Sequence, residues 1–331
     1  IPSTFDNDFC RELDERYKAT LSKKRMFVNE LYLTVIRRQT LKGNVGTFDA
    51  MMKALSGKKR DDGEKVAELE AVSDLMDSVT ALRESMSLYQ ARVLGVVARD
   101  GAFHSEPLEF LVQLVNGAMP RPMPLPRMPL NEAVALKRVF FGRNALEIRG
   151  AGQADTRFGA MLSIKEYPAY TGPGFIDNLL RVPHEFVVSQ SFGIVDKTEA
   201  MGHMDRVSRQ LDMSDEAESV VQDHLETARN ELLGSEALYG EHHFTVMALG
   251  QSLDEVNKAT TAIGAALTDR SVLWVREDLD LEPAFWAQMP GNFEYIARKG
   301  IISSKNFAGF ASLHNFPSGQ TSGNHWRPAV S

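Results

Sequence analysis

The chain carries a single cysteine, Cys10, among 331 residues. One thiol excludes an intramolecular disulfide and a cysteine metal cluster, and it fits a reducing compartment. Long apolar runs are missing as well: no stretch approaches the ~20 residues that a bilayer-spanning helix requires. There is no basic excess. Thirty-seven Lys and Arg stand against 44 Asp and Glu, a net charge of −7 at pH 7. That balance is the opposite of a protein whose main task is to coat phosphates. No signal peptide opens the sequence, and it starts at Ile1 without Met, as expected of a piece of a longer protein.

The short motifs of catalysis are missing too. A phosphate loop needs glycines that expose backbone amides, with a lysine followed by Ser or Thr for phosphate and magnesium. In "LSGKKRDDGEK", Gly57-Lys58 is followed by Lys59, and Met52 stands where the first glycine belongs. "KGNVG" (42–46) and "SGQTSGN" (318–324) fare no better. The histidines show no HxxxH or HExxH spacing. His242 and His243 are adjacent in a predicted strand, so their rings point to opposite faces and do not share one ion. No G-x-S-x-G elbow occurs, and Ser163 and Ser189 read as cross-strand contacts. No catalytic, cofactor or metal residue is therefore assigned within these residues.

What is present is an ordinary globular composition, 43% hydrophobic and 24% charged, over a length that suggests about two domains. "KRMFVNELYLTVIRR" (24–38) alternates apolar and polar positions, which predicts a strand. In 61–86 the apolar positions Val66, Leu69, Val72, Leu75/Met76, Val79, Leu82 and Met86 fall three or four apart, one stripe on a long helix. "ARVLGVVAR" (91–99) reads as a buried strand. "SEPLEFLVQLVNG" (105–117) reads as a helix capped by Ser105, with Pro107 in its first turn and Gly117 at its end. The proline-rich 119–129 reads as a semi-rigid connector, and 138–150 as two short strands around a Gly-Arg-Asn turn.

The second half predicts strands at 156–168, 184–196, 241–251 and 271–278. Between them lie a short helix at 172–183 and a long helical region at 197–233, bent near Met213-Ser214-Asp215. A helix over 252–267 opens with a capping box, Ser252 and Glu255. Met76, Met86, Met201 and Met204 are expected in the core. The two halves share an element order, so the fold class is α+β: two related units of mixed or antiparallel sheet with long helices. The boundaries are 1–130, including the connector, and 131–290, with 291–331 as a linker.

The sequence is most specific from 279 onward. "FWAQMPGN" (285–292), "SSKNFAGFASLHNFPSG" (303–319) and "GNHWRPA" (323–329) resemble, in order and spacing, the segment before the ATPase domain in the VirB/TrbE/CagE family of type IV secretion and conjugation ATPases. "LSIKEYP" and "EFVVSQSF" fit that family's N-terminal region, so the likeness covers most of the chain. Arg327 departs from it, standing where the family usually has Gly.

The resemblance implies a RecA-like ATPase domain shortly after this chain, binding ATP and Mg2+. It also implies the cytoplasmic face of the bacterial inner membrane, other type IV secretion components as partners, and self-association into a ring. On that reading the chain is a docking and assembly module. Trp286 and Trp326 are then the candidates for interdomain packing, because a large apolar ring with a polar N–H suits a wet boundary, and Asn324 caps a turn toward the motor. Two rivals are a stand-alone scaffold and a soluble two-unit enzyme with a small-molecule cleft drawing on His184, Glu185 or Asp196.

Overall fold

The computed structural model describes residues 7–23, 27, 29–36, 62–89, 91–117, 121–168, 170–212 and 219–311. Its centre is an antiparallel sheet made of β3 (Arg138–Phe141), β4 (Leu146–Arg149), β5 (Arg157–Glu166), β6 (Glu185–Ile194), β7 (Tyr239–Gly250), β8 (Leu273–Arg276) and β9 (Gly300–Ser303). The path runs β3-β4-β5-β7-β6. β8 lies beside the end of β5, and β9 beside the start of β7. With neighbours on both edges and cover on both faces, β7 is buried everywhere except Glu241. That is why "HHFTVMALG" reads as a continuous run and not as an alternation.

Strand parity separates two cores. Leu162, Ile164, Phe244, Val246 and Ala248 face α7 (Leu253–Thr268), whose Ala259, Ile263 and Leu267 come one turn apart. Met161, Met247 and Leu249 point the other way, onto α8 (Leu281–Trp286). Ser252 accepts the Glu255 N–H at 3.2 Å as predicted, while the Glu255 carboxylate accepts the Gln251 N–H at 2.8 Å, one residue before the cap, so α7 starts on a shifted form of the predicted capping box. Trp274 lies so close to this helix that a Cβ on Gly264 would overlap its ring. Gly264→Ala is expected to lower stability by about 1–3 kcal/mol, because overpacking outweighs the better helix propensity of alanine. Urea unfolding checks it; an unchanged midpoint means the ring shifts freely.

A smaller layer comes from the first 135 residues. α1 (Asp8–Leu21) and α2 (Asp62–Ser85) precede the hairpin β1 (Val96–Arg99)–β2 (Ala102–Ser105). The hairpin turns through Asp100 and Gly101, both at positive φ (51° and 76°), the type I′ geometry that Asp-Gly favours. Ser105 then caps α3 (Glu106–Asn116), which ends on Gly117 in the left-handed region, as its sequence predicts. Asn116 is buried and bonds on both sides. Its Nδ2 donates to the carbonyls of Val112 and Val134, and its Oδ1 accepts the N–H groups of Leu136 and Lys137. One side chain thereby fastens α3 to α4 (Leu130–Val134).

Several expectations need correcting. Residues 27 and 29–36, within the predicted strand at 24–38, belong to no strand; residues 24–26, 28, 37 and 38 lie outside the described residues. Alternation alone does not make a strand where no sheet edge takes up its backbone groups, and Tyr32 instead stacks on Phe110 at 4.4 Å. The "buried" strand at 91–99 is the half-exposed arm of the hairpin. The short helix at 172–183 is a run of turns ending in one 3-10 turn, Leu179–Arg181. The proline-rich segment connects, but it also runs along β2: the Ser105 N–H donates to Met123 and the Leu125 N–H to Phe103, each at 2.9 Å. Met204 is buried, but Met76 is 61% exposed. Within the helical region the described residues form α5 (Lys197–Asp212) and α6 (Ser219–Leu233), and the expected bend at Met213-Ser214-Asp215 lies outside them.

Candidate docking interface

Trp286 ends α8 and stands where the two layers meet. Its ring edges contact Phe285 (centroids 5.0 Å apart) and Phe141 (6.4 Å) on the sheet side. It also packs with the α3–α4 cluster of Leu108, Val112, Val115, Ala133 and Val134. The side chain is half-buried, and its carbonyl accepts the Asn292 amide at 3.1 Å. Just behind it Gln288, buried, donates to the Phe285 carbonyl and reaches Met247 Sδ. Trp286 is thus the one site candidate whose position is described; Asn324 and Trp326 lie outside the described residues.

The hairpin is held to α3 by charge. Glu106, 5% exposed, accepts from Arg92 at 2.5 Å, from the Gly95 N–H at 3.1 Å and from Arg99 at 3.3 Å. The Arg92 hydrogen bond, helped by the Gly95 amide, holds this carboxyl well below the usual range. Glu109 accepts from Arg99 and from the Met123 N–H. These carboxylates are consumed in fastening, and general acid–base chemistry has no free proton acceptor here.

The surface beyond these anchors is apolar in an ordered way. Along α1, Phe9, Leu13 and Tyr17 are 57–70% exposed, at i, i+4 and i+8. Along α2, Leu69, Val72, Leu75 and Met76 are 52–69% exposed. Of the stripe that the sequence predicts, Leu69, Val72, Leu75 and Met76 face solvent, while Val79, Leu82 and Met86 are half-buried. Nothing in composition distinguishes a stripe that seals a core from one that waits for a partner; only the packing does.

The histidine pair behaves as adjacency requires. His242 and His243 lie on opposite faces and both are buried. The His242 ring sits between the Tyr167 hydroxyl (3.0 Å from Nδ1) and Gln190 Oε1 (3.2 Å from Nε2), beside Phe307 and Phe310. Because Gln190 Nε2 donates to the Phe310 carbonyl, its oxygen faces Nε2, which therefore carries the proton. Nδ1 is left as an acceptor, sharing the single Tyr167 hydroxyl proton with the His242 carbonyl, which is also 3.0 Å from that oxygen. Burial, reinforced by His243, pushes His242 down to about 3, and burial alone takes His243 to about 4. Both are structural and neutral.

No enzyme cleft assembles from the other candidates. Glu185 pairs with Arg157 at one end of β6, next to His184. Asp196 lies past the other end, capping α5 through the Glu199 N–H. A strand of that length separates them by about 35 Å. Two open hollows of about 470 and 440 Å3 exist, the first beside Tyr170 and Arg270, the second beside Arg149 and Gln153. In the second, Arg149 is already bonded twice to Glu147. Among the described residues no three His, Cys, Asp or Glu side chains gather as a metal site, and no helix is long and apolar enough to cross a membrane.

Comparison with known proteins matches the chain to a family. The model of the CagE, TrbE, VirB family, component of type IV transporter system, matches residues 92–298. The N-terminal domain model of the type IV secretion system ATPase VirB4/TrbE matches residues 1–45. The chain is 35% identical over 329 residues to the type IV secretion system protein VirB4 of Bartonella quintana, covering 99% of this chain and 41% of that protein. It is 29% identical over 333 residues to PtlC of Bordetella pertussis (100% and 40% covered). It is 29% identical over 329 residues to VirB4 of Agrobacterium tumefaciens (99% and 40%). The chain spans about two-fifths of the length of the curated relatives it matches. It belongs to the CagE/TrbE/VirB family, components of the type IV transporter system.

Proposed function

We propose that these residues are the N-terminal docking module of a type IV secretion ATPase. The whole protein hydrolyses ATP with Mg2+ in a motor domain outside this chain and powers assembly of the machine, its pilus and the transfer of DNA or protein. The module holds that motor at the cytoplasmic face of the bacterial inner membrane through other components of the machine, and joins neighbouring subunits. Its parts are the units 1–130 and 131–290, with 291–331 leading toward the motor and Trp286 as the packing residue between layers. Asn324 and Trp326 serve the motor junction.

The observation that carries this reading is the outward apolar stripe of α2, in a chain whose relatives are type IV secretion proteins. A stripe of exposed Leu, Val and Met on a 24-residue helix offers a partner adaptable contact area. The test is Leu75→Glu with Met76→Glu in the full-length protein. Both side chains are exposed, so folding and ATP hydrolysis should persist. Membrane-fraction association in cells with the complete machine, and substrate transfer, are expected to fall at least tenfold. Unchanged association would show that α2 docks nothing; absence of Mg2+-dependent hydrolysis in the unmodified protein would remove the motor.

A further inference from the structure

The strands with a single partner, β3, β8, β9 and β6, are unlike: β8 and β9, like β3, have four residues. β3 contributes four residues, beginning with Arg138. β6 contributes ten, and its register against β7 runs from Glu185 to Ile194 without a bulge. Between Phe186 and Ile194 it carries neither proline nor a charged residue. Proteins protect edges with short strands, bulges, prolines and charges; β6 uses none of these. Every residue from Glu185 to Phe192 is half-buried, as expected of a strand covered on its faces and bare along one side.

The bare groups can be named. The Val195 N–H donates to the Tyr239 carbonyl, so in this antiparallel register the odd residues exchange bonds with β7. Phe186, Val188, Gln190, Phe192 and Ile194 then direct their N–H and C=O groups off the sheet, and among the described residues no group bonds to them.

We propose that this edge pairs with β6 of a second copy of the chain, antiparallel, about a two-fold axis at Gln190. The occupant follows from the order of residues. On one face the strand reads Phe186, Val188, Gln190, Phe192, Ile194: two apolar, one polar, two apolar. Folding that order onto itself sets Phe186 opposite Ile194 and Val188 opposite Phe192, with the two Gln190 residues at the axis. On the other face Ser189 meets Ser191, and Val187 meets Gly193. Past the ends His184 comes opposite Asp196 of the second copy. A strand whose sequence is its own complement suits an isologous contact, and the exposed even-numbered amides supply the bonds. The proposal does not depend on what α2 docks to.

The test uses full-length protein with all native cysteines, Cys10 included, changed to serine. Ser189→Cys and Ser191→Cys chains are purified separately, mixed and mildly oxidised. The axis at Gln190 places residue 189 directly across from 191, within disulfide reach, and neither residue across from itself. The mixture should form disulfide-linked dimer at least tenfold faster than either variant alone. Equal rates in all three samples, or no linkage, would overturn the pairing. Ile194→Lys, at a side chain 67% exposed, should weaken self-association at least tenfold in sedimentation velocity while the melting temperature holds; unchanged association also counts against it. If the β6 amides become protected from hydrogen exchange only when another machine component is added, that component is the occupant and self-pairing is wrong.

Discussion

Phe310→Ala is expected to destabilise the protein by about 3–5 kcal/mol, the loss typical of truncating a fully buried aromatic ring. Phe310 belongs to α9 (Ser304–Phe310), inside the segment that sequence alone assigns to a linker. Yet its ring is 0% exposed and lies 5.0 Å from Phe175 and His242 and 5.7 Å from Phe244, centroid to centroid. β9 just before it pairs with β7, and Arg298 ties the approach to the buried Glu277 at 2.7 Å. Residues 300–310 thus complete the core from outside the sheet's main path. Equilibrium urea unfolding measures the effect. A cost under about 1 kcal/mol would show that the helix docks loosely and that the core closes without it.

Acid should unfold the protein through its two buried histidines. Their unfolded value is near 6.5, while the folded protein holds His242 near 3 and His243 near 4. The unfolded chain therefore takes up protons first as pH falls. The stability tied to both rings is complete above about pH 6.5 and is lost progressively down to about pH 3–4. At pH 5 each neutral ring accounts for about 2 kcal/mol of that loss, since one pH unit corresponds to about 1.4 kcal/mol. Urea midpoints at pH 7.5 and 5.0 check this, and His243→Leu should remove about half of the dependence. A flat profile would mean that the rings become hydrated or reorient on protonation. Because His242 touches Phe307 and Phe310, acid and Phe310→Ala strike the same junction, and their costs should not add.

Local chemistry was legible wherever one residue determines the outcome. Ser105, Pro107 and Gly117 bound α3, Ser252 and Glu255 start α7, and the adjacency of two histidines sets their opposite faces, because each effect is decided within a few bonds. The hairpin turn is equally local in Asp100-Gly101, but the valines before it read as a buried strand, because their apolar character says nothing of whether a second layer covers them. Trp286 could be chosen for its chemistry, but its neighbours come from residues 108–141, far off in the sequence.

By itself the sequence determined the α+β class, the family resemblance and most element positions, since periodicity and caps are local. Only the tertiary structure decided which stripe is covered, that 29–36 forms no strand, that β9 and α9 join the core, and which strand is left at the edge. Those are statements about what lies on the far side of a surface. A periodic pattern marks a face as apolar, but burial depends on residues distant in the chain coming to meet it.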